Sequence, residues 1–355
     1  MSVSYINAIG TAVPAHDVHR AFIGWAERRI EGVRERALFR RMAERSGIGH
    51  RWSVLPEGEG GGSPVDAGGF YADAAPPTSR RMEVYAAEAP RLALEAIARL
   101  GEQVSLDGVT HLVVASCTGF TAPGIDQIIA EALGLHEVER TLVGFMGCYA
   151  AVSALRVANH IVRAEPAARV LAVTVELSSL HLQETSEVEP LLAMLQFSDG
   201  AAAALLSRAP QGFAIEGSFA LSLEKSAELI TWTIGDTGFA MHLSGAVPGR
   251  IGAALQDDAV RARMLGPWTS GEIDGWAVHA GGRSIVDAVE KGMSLAPEAL
   301  AEARDVLARY GNMSSSTLMF VLADLLERGD VEKGLALAFG PGLAAEGFRF
   351  SRAAG

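Results

Sequence analysis

The sequence predicts a layered α/β fold built from two related βαβαβ halves, and three observations carry that reading. Short apolar runs alternate with helical patterns over most of the 355 residues. Each run is apolar on both faces and closes on a glycine or a turn, as strands buried in a layered α/β protein do. A duplication is the second observation: the offset that carries GCYAAVSAL at Gly147 onto GNMSSSTLM at Gly311 also carries LAVTV (171–175) onto LALAF (335–339). It carries LVVASCTG (112–119) onto WAVHAGGR (276–283) as well, so three elements stay in register without a gap. The third is composition. Hydrophobic residues make up 49% but aromatics only 6%, with 39 glycines, which implies helices and strands packed closely through small side chains.

In chain order, the stretch Pro56–Pro77 is rich in Gly and Pro and reads as an exposed, decorative loop before a helix around Arg81–Leu100. THLVVAS (110–116) is the first clear buried strand, and an apolar run ending at Gly147 leads into a helix. ARVLAVTV (168–175) and AAAALLS (201–207) are further strands. GWAVHA (275–280) and KGLALAFG (333–340) are their counterparts in the second half. The expected division is residues 1–210 for the half that carries a reactive Cys and 211–355 for the half that carries a His and an Asn.

A formal net charge of −12 opposes any broad attraction to nucleic acid phosphates or anionic lipid, so an anionic substrate needs a local basic patch. The two cysteines, Cys117 and Cys148, form no CxxC pair and no His cluster has metal spacing, so neither a disulfide framework nor a metal site is expected. That fits a reduced cytoplasm. No apolar run reaches the roughly 18 residues of a membrane span, and the start of the chain lacks the basic and apolar blocks of an export signal.

Three residues carry candidate chemistry. Cys148 follows a tight turn at a helix start, where partial positive charge and free N–H groups favour a thiolate. An arbitrary intracellular Cys is more often a small buried hydrophobe, and it is the strand, turn and helix context that marks this one as a nucleophile. His279 ends a strand and precedes AGGR, a turn that can leave its imidazole facing a cavity at the sheet's carboxyl end. Asn312 suits a helix N-cap, but the duplication makes it the counterpart of the Cys148 turn. An amide donor beside an imidazole can hold a thioester oxygen as negative charge builds on it.

GFMGCYAA, WAVHAGG, RYGNMSSST, FSDGAAA and AFGPGL, with IGTAVP, APRLALEAI and SCTGFTAPGID, resemble the signature segments of the type III polyketide synthases. These are the chalcone synthase-like branch of the thiolase superfamily, and the resemblance spans nearly the whole chain. It implies a homodimer of thiolase-like, five-layered αβαβα subunits and a reaction on coenzyme A thioesters without metal or redox cofactor. Cys148 as thiolate, paired with His279, would take the acyl group from an acyl-CoA starter. His279 and Asn312 would then support decarboxylation of malonyl-CoA and the enolate that attacks the acyl-Cys. The resemblance further implies a gate at Phe197, with Met241 where a second aromatic is usual, and a cavity lined by Cys117, Ser178, His181 and Ser314. Gly340 and Pro341 would shape its floor, and Arg41 and Arg45 would meet the phosphates of coenzyme A, Leu38 replacing a further cation. Ala122 stands where plant members place a Met that crosses the dimer interface. The implied products are pyrones or resorcinol- and phloroglucinol-type rings, with Met241 and Ala122 leaving room for an aliphatic starter. The alternatives are an initiating ketoacyl-ACP synthase of the same fold and a catalytically silent binding protein.

Overall fold

A computed structural model describes residues 3–58, 61–72 and 75–353. The chain opens with β1 (Tyr5–Ala12), β2 (His16–Asp17), α1 (His19–Arg29), α2 (Val33–Glu44), β3 (Trp52–Ser53) and α3 (Thr78–Gly101). There follow β4 (His111–Ser116), α4 (Ile125–Ala132), β5 (Glu139–Gly144), α5 (Ala150–Ala164), β6 (Val170–Leu177), α6 (Val188–Met194), β7 (Asp199–Ser207) and β8 (Phe213–Ser222). A hairpin of β9 (Ile230–Gly235) and β10 (Gly238–Leu243) leads to α7 (Val247–Gln256) and α8 (Asp258–Leu265). The chain ends with β11 (Gly275–Val278), α9 (Arg283–Met293), α10 (Ala301–Tyr310), α11 (Ser316–Arg328), β12 (Lys333–Gly340) and β13 (Ala344–Arg352).

Nine strands form one mixed sheet in the order β11-β12-β13-β8-β1-β7-β6-β4-β5. Its two arms repeat one pattern. β4 runs parallel to β6, which is antiparallel to β7; β11 runs parallel to β12, which is antiparallel to β13. The duplicated segments of the sequence are these strands. The arms meet where β1 pairs with β8 at Tyr5↔Ala214 and Ile6↔Phe213.

Side-chain alternation sets the layers. On β6 and β7, Val170, Ala172, Ala202, Ala204 and Leu206 pack in the cluster that holds α5 and α11, while Leu171, Val173, Ala201, Ala203 and Leu205 face α3 and α4. The helix pair α5 and α11 thus lies between the arms, with α3 and α4 outside one and α7, α9 and α10 outside the other, which gives the αβαβα order. Small side chains permit the spacing. A Cβ on Gly10 would lie 2.2 Å from the backbone nitrogen of Leu100, so α3 touches β1 backbone to backbone.

The Gly/Pro-rich stretch departs from expectation. Glu59, Gly60, Asp73 and Ala74 lie outside the described residues, but Tyr71 is buried and its hydroxyl donates to the Ser179 carbonyl at 2.7 Å. One apolar ring with a satisfied hydroxyl turns part of this loop into cavity wall. Among the described residues no helix is long and apolar enough to cross a membrane, and no cluster of His, Cys, Asp or Glu could hold a metal ion.

Candidate active site

Cys148 stands in a single 3-10 turn, Gly147–Tyr149, between β5 and α5. Two left-handed residues precede the thiol, Phe145 (φ 51) and Gly147 (φ 73). A Cβ on Gly147 would fall 2.4 Å from the Pro341 ring, and one on Gly340 would fall 2.4 Å from the Tyr149 ring. The turn that presents Cys148 is therefore interlocked with the Gly340–Pro341 turn, and the backbone approach demands glycine on both sides.

His279 follows β11, and its backbone nitrogen donates to the Leu337 carbonyl of β12 at 2.8 Å. Its side chain is 1% exposed, and neither ring nitrogen has a partner. A buried imidazole without hydrogen bonds is costly unless a ligand supplies them, so these orphaned nitrogens mark the ring as a site residue. Burial alone holds its pKa down at about 4.

Asn312 follows α10 and Gly311 (φ 71). Its backbone nitrogen donates to the Gln196 carbonyl (2.8 Å), and its carbonyl accepts from the Ser198 nitrogen (2.9 Å). The side-chain oxygen accepts from the Ser314 nitrogen at 2.9 Å, while Nδ2 donates to the Gly281 carbonyl at 3.1 Å. The amide thus caps the turn before α11 and is held in orientation, with one N–H left over for the cavity. Cys148, His279 and Asn312 line one small cavity, whose remaining walls include Phe197, Ile230, Met241, Leu243, Phe339 and Gly340.

Burial governs the thiol as well. It pushes the Cys148 pKa up to about 12, against which the Ser314 hydroxyl, donating at 3.7 Å, acts in the opposite direction. Glu176 adds to the rise. The expected thiolate and imidazolium pair is thus opposed by burial of each charge taken singly. No hydrogen bond joins the two groups, since neither His279 nitrogen has a partner.

Behind the cavity lies a polar shelf that the sequence reading missed. Glu176, in the otherwise apolar β6, accepts from the Cys117 nitrogen (3.0 Å), the Thr118 hydroxyl (2.9 Å) and the Ser315 hydroxyl. Burial lifts its pKa to about 7. A carboxylate in a strand that is apolar on both faces was the available signal. Cys117 and Ser314, expected to line the cavity, sit in this shelf instead: Cys117 Sγ is 3.3 Å from Ser314 Oγ, which bridges it to Cys148. Burial raises the Cys117 pKa well above its ordinary value.

Ser178 and His181 line a second, larger cavity walled by Val18, Phe22, Leu55, Tyr71, Leu182 and Met194. Phe197 and Met241 stand in the wall common to both cavities. His181 accepts from the Phe239 nitrogen (3.0 Å) at Nδ1, which leaves Nε2–H to donate to the Thr118 carbonyl (2.7 Å). Its ring stacks on Phe239 with centroids 4.2 Å apart, and burial lowers its pKa to about 3. Both nitrogens are occupied, so His181 is a fixed wall. Trp232, also unforeseen, donates from Nε1 to the Cys117 carbonyl at 2.9 Å and faces Met241 across the hairpin. Arg45 ends α2 and lines a surface cleft with Ser46, Gln196 and Arg283; Arg41, one turn earlier, is exposed outside that cleft.

Comparison with known proteins agrees with this geometry. Residues 2–210 match the chalcone and stilbene synthase N-terminal domain, and residues 217–352 match the C-terminal domain. The alpha-pyrone synthesis polyketide synthase-like Pks18 of Mycobacterium tuberculosis is 34% identical over 308 residues, 81% of this chain and 77% of its own. PKS-I of the brown alga Ectocarpus siliculosus superposes with a TM-score of 0.88 at 28% identity, over 99% of each chain. The C-terminal type III polyketide synthase domain of Steely1, a type I/III hybrid from Dictyostelium, gives 0.89 at 25% identity, over 99% of this chain and 100% of that one. With both domains matched and the duplicated fold in place, the chain belongs to the chalcone and stilbene synthase family and is a type III polyketide synthase, an acyltransferase-type enzyme.

Proposed function

We propose that this synthase extends an acyl-CoA starter with malonyl-CoA by repeated decarboxylative condensation through an acyl thioester on Cys148. The observation that carries this is the convergence of a thiol, an unpartnered imidazole and an oriented amide on one mostly apolar cavity. His279 takes the Cys148 proton as sulfur attacks the starter thioester, and free coenzyme A leaves. The His279 N–H and the spare Asn312 N–H then hold the thioester oxygen of malonyl-CoA. Loss of carbon dioxide leaves an enolate whose charge rests on that oxygen, and its carbon attacks the acyl group and releases Cys148. Apolar walls favour this step, because a carboxylate deprived of water is destabilised relative to neutral carbon dioxide. The sequence needs neither metal nor redox cofactor, and a reduced cytoplasm would keep the thiol free.

The larger cavity bears on the starter. Its largely apolar walls beyond Phe197 and Met241 can take the chain of an aliphatic starter, and the Mycobacterium tuberculosis relative is named for alpha-pyrone synthesis. We therefore expect aliphatic starters to give pyrones or resorcinol-type products. A panel of acyl-CoA starters with labelled malonyl-CoA, read by mass spectrometry, checks this, and clear preference for aromatic starters defeats the assignment. Turnover with malonyl-ACP alone would instead favour the initiating ketoacyl-ACP synthase.

The two halves are taken to divide at about residue 210, and the working form is a homodimer. The edge strand β5 lacks a second neighbour in the sheet, and Leu142, Phe145, Phe120 and Ile234 are exposed, an apolar patch of the kind that association covers. Sedimentation at micromolar concentration is expected to report twice the chain mass.

A further inference from the structure

We infer that the segment between Gly61 and Ala72, whose composition reads as decoration, is the stop that sets the length of the starter's acyl chain, with Val65 and Tyr71 as its specificity-determining residues. The inference rests on the reading that an aliphatic starter enters the larger cavity. It adds which residues decide how long that chain is.

The segment folds back on itself. The Asp66 carboxylate accepts from the Ser63 nitrogen (3.0 Å) and hydroxyl (2.9 Å), and the Tyr71 nitrogen donates to the Pro64 carbonyl at 2.8 Å. Asp66, Ala67 and Gly68 are left exposed at the tip, while Pro64 and Tyr71 are buried beneath it. Half-buried Val65 packs against the apolar cluster of α1, α2 and α6. Tyr71 is fixed twice: its hydroxyl donates to the Ser179 carbonyl, and the guanidinium of Arg81 on α3 lies 5.3 Å from its ring centroid. The wall that this segment presents is therefore a built one.

Ser63, Pro64, Val65 and Tyr71 line the larger cavity, and none of them lines the Cys148 cavity. Phe197 and Met241 line both. An acyl chain held at Cys148 and passing Phe197 and Met241 thus enters the space that this segment bounds. Beyond Pro64 and Tyr71 lies the exposed tip, so one layer of chain separates the end of the acyl tail from solvent. Pro64, Val65 and the Tyr71 ring offer a terminal methyl group apolar contact, and the hydroxyls of Tyr71 and Ser63 already donate within the protein. Each methylene of the tail that the cavity buries is worth roughly fourfold in affinity, and carbons that the wall excludes add nothing. The position of Val65 and Tyr71 is therefore read out as an optimum in starter length.

Unbranched acyl-CoA starters of increasing length, competed in pairs for labelled malonyl-CoA and read by mass spectrometry, test the assignment on the full-length protein. The ratio of two products formed in one tube does not depend on how much of a variant is folded. Tyr71→Ala removes the ring from the wall and should move the optimum to longer starters, favouring one two carbons beyond the wild-type optimum about tenfold more than the wild type does. Val65→Phe fills the cavity and should move the optimum to shorter ones. Tyr71→Phe keeps the ring and should keep the wild-type optimum, and the KM for malonyl-CoA should be the same in all four proteins. An optimum that Tyr71→Ala leaves in place or Val65→Phe fails to shorten, a shift in Tyr71→Phe equal to that in Tyr71→Ala, or a malonyl-CoA KM that moves with the optimum would each overturn the assignment. The functional reading fails on a different result, a wild type that condenses no aliphatic starter of any length.

Discussion

Cys148→Ala is expected to lower condensation by at least about a thousandfold, a loss of roughly 4 kcal/mol of transition-state stabilisation, while leaving much of the decarboxylation of malonyl-CoA intact. The two half-reactions separate because different atoms serve them. Sulfur is needed only to hold the acyl group, whereas the His279 and Asn312 donors face the oxygen on which the enolate charge rests. The substitution removes one sulfur from a turn fixed by Gly147 against Pro341, and Ser314 keeps its contact with Cys117, so the fold should hold. Release of labelled carbon dioxide, counted beside labelled product, reads both steps in one tube. His279→Ala should depress both. Condensation at the wild-type rate in Cys148→Ala would end the acyl-Cys mechanism, and loss of both steps there would mean that the sulfur also serves decarboxylation.

Much of this site was legible in the sequence because it rides on the duplication. Gly147 and Gly311 are both left-handed, each opening the turn before a central helix, and the offset that pairs them also pairs β4 with β11 and β6 with β12. Local pattern therefore placed Cys148 and Asn312 in equivalent turns before equivalent helices, and His279 at the end of a strand. What stayed hidden depends on which face a segment turns inward. The residues of β9 and β10 alternate, yet nothing local says that Trp232 and Phe239 turn toward the cavities, since the hairpin lies outside the main sheet. Tyr71 was lost inside a stretch whose composition reads as loop, and its burial follows from a partner, Ser179, 108 positions away. Glu176 shows the same limit: it directly follows the strand read at 168–175, but nothing there says that four groups from two other segments would converge on it. Ionisation is hidden for a related reason, since the shifts of Cys148 and His279 come first from burial, a property of the assembled fold.

Those shifts make the second large prediction. With the imidazole held down at about 4 and the thiol pushed up to about 12, the two groups together carry one proton throughout the range between. Below the lower value it gains a proton and loses its acceptor; above the upper value it loses the proton altogether. Whether the proton rests on sulfur or on nitrogen, the population of the reactive pair is constant in between. Alkylation of Cys148 by iodoacetamide should therefore proceed at nearly the same rate at pH 5.5 and pH 8. An isolated cysteine with a pKa near 8.5 would slow roughly 200-fold over that span, and a base of ordinary imidazole pKa would cost about tenfold at the acid end. In His279→Ala the acceptor is gone and a lone buried thiolate must form. Labelling at pH 7 should fall by about a hundredfold or more and then climb about tenfold per pH unit. Near-UV circular dichroism at both pH values guards against acid unfolding. A wild-type rate that declines steeply from pH 8 to pH 5.5 while the spectrum holds would show that His279 does not share the Cys148 proton, and its role as the base of the acylation step would go with it.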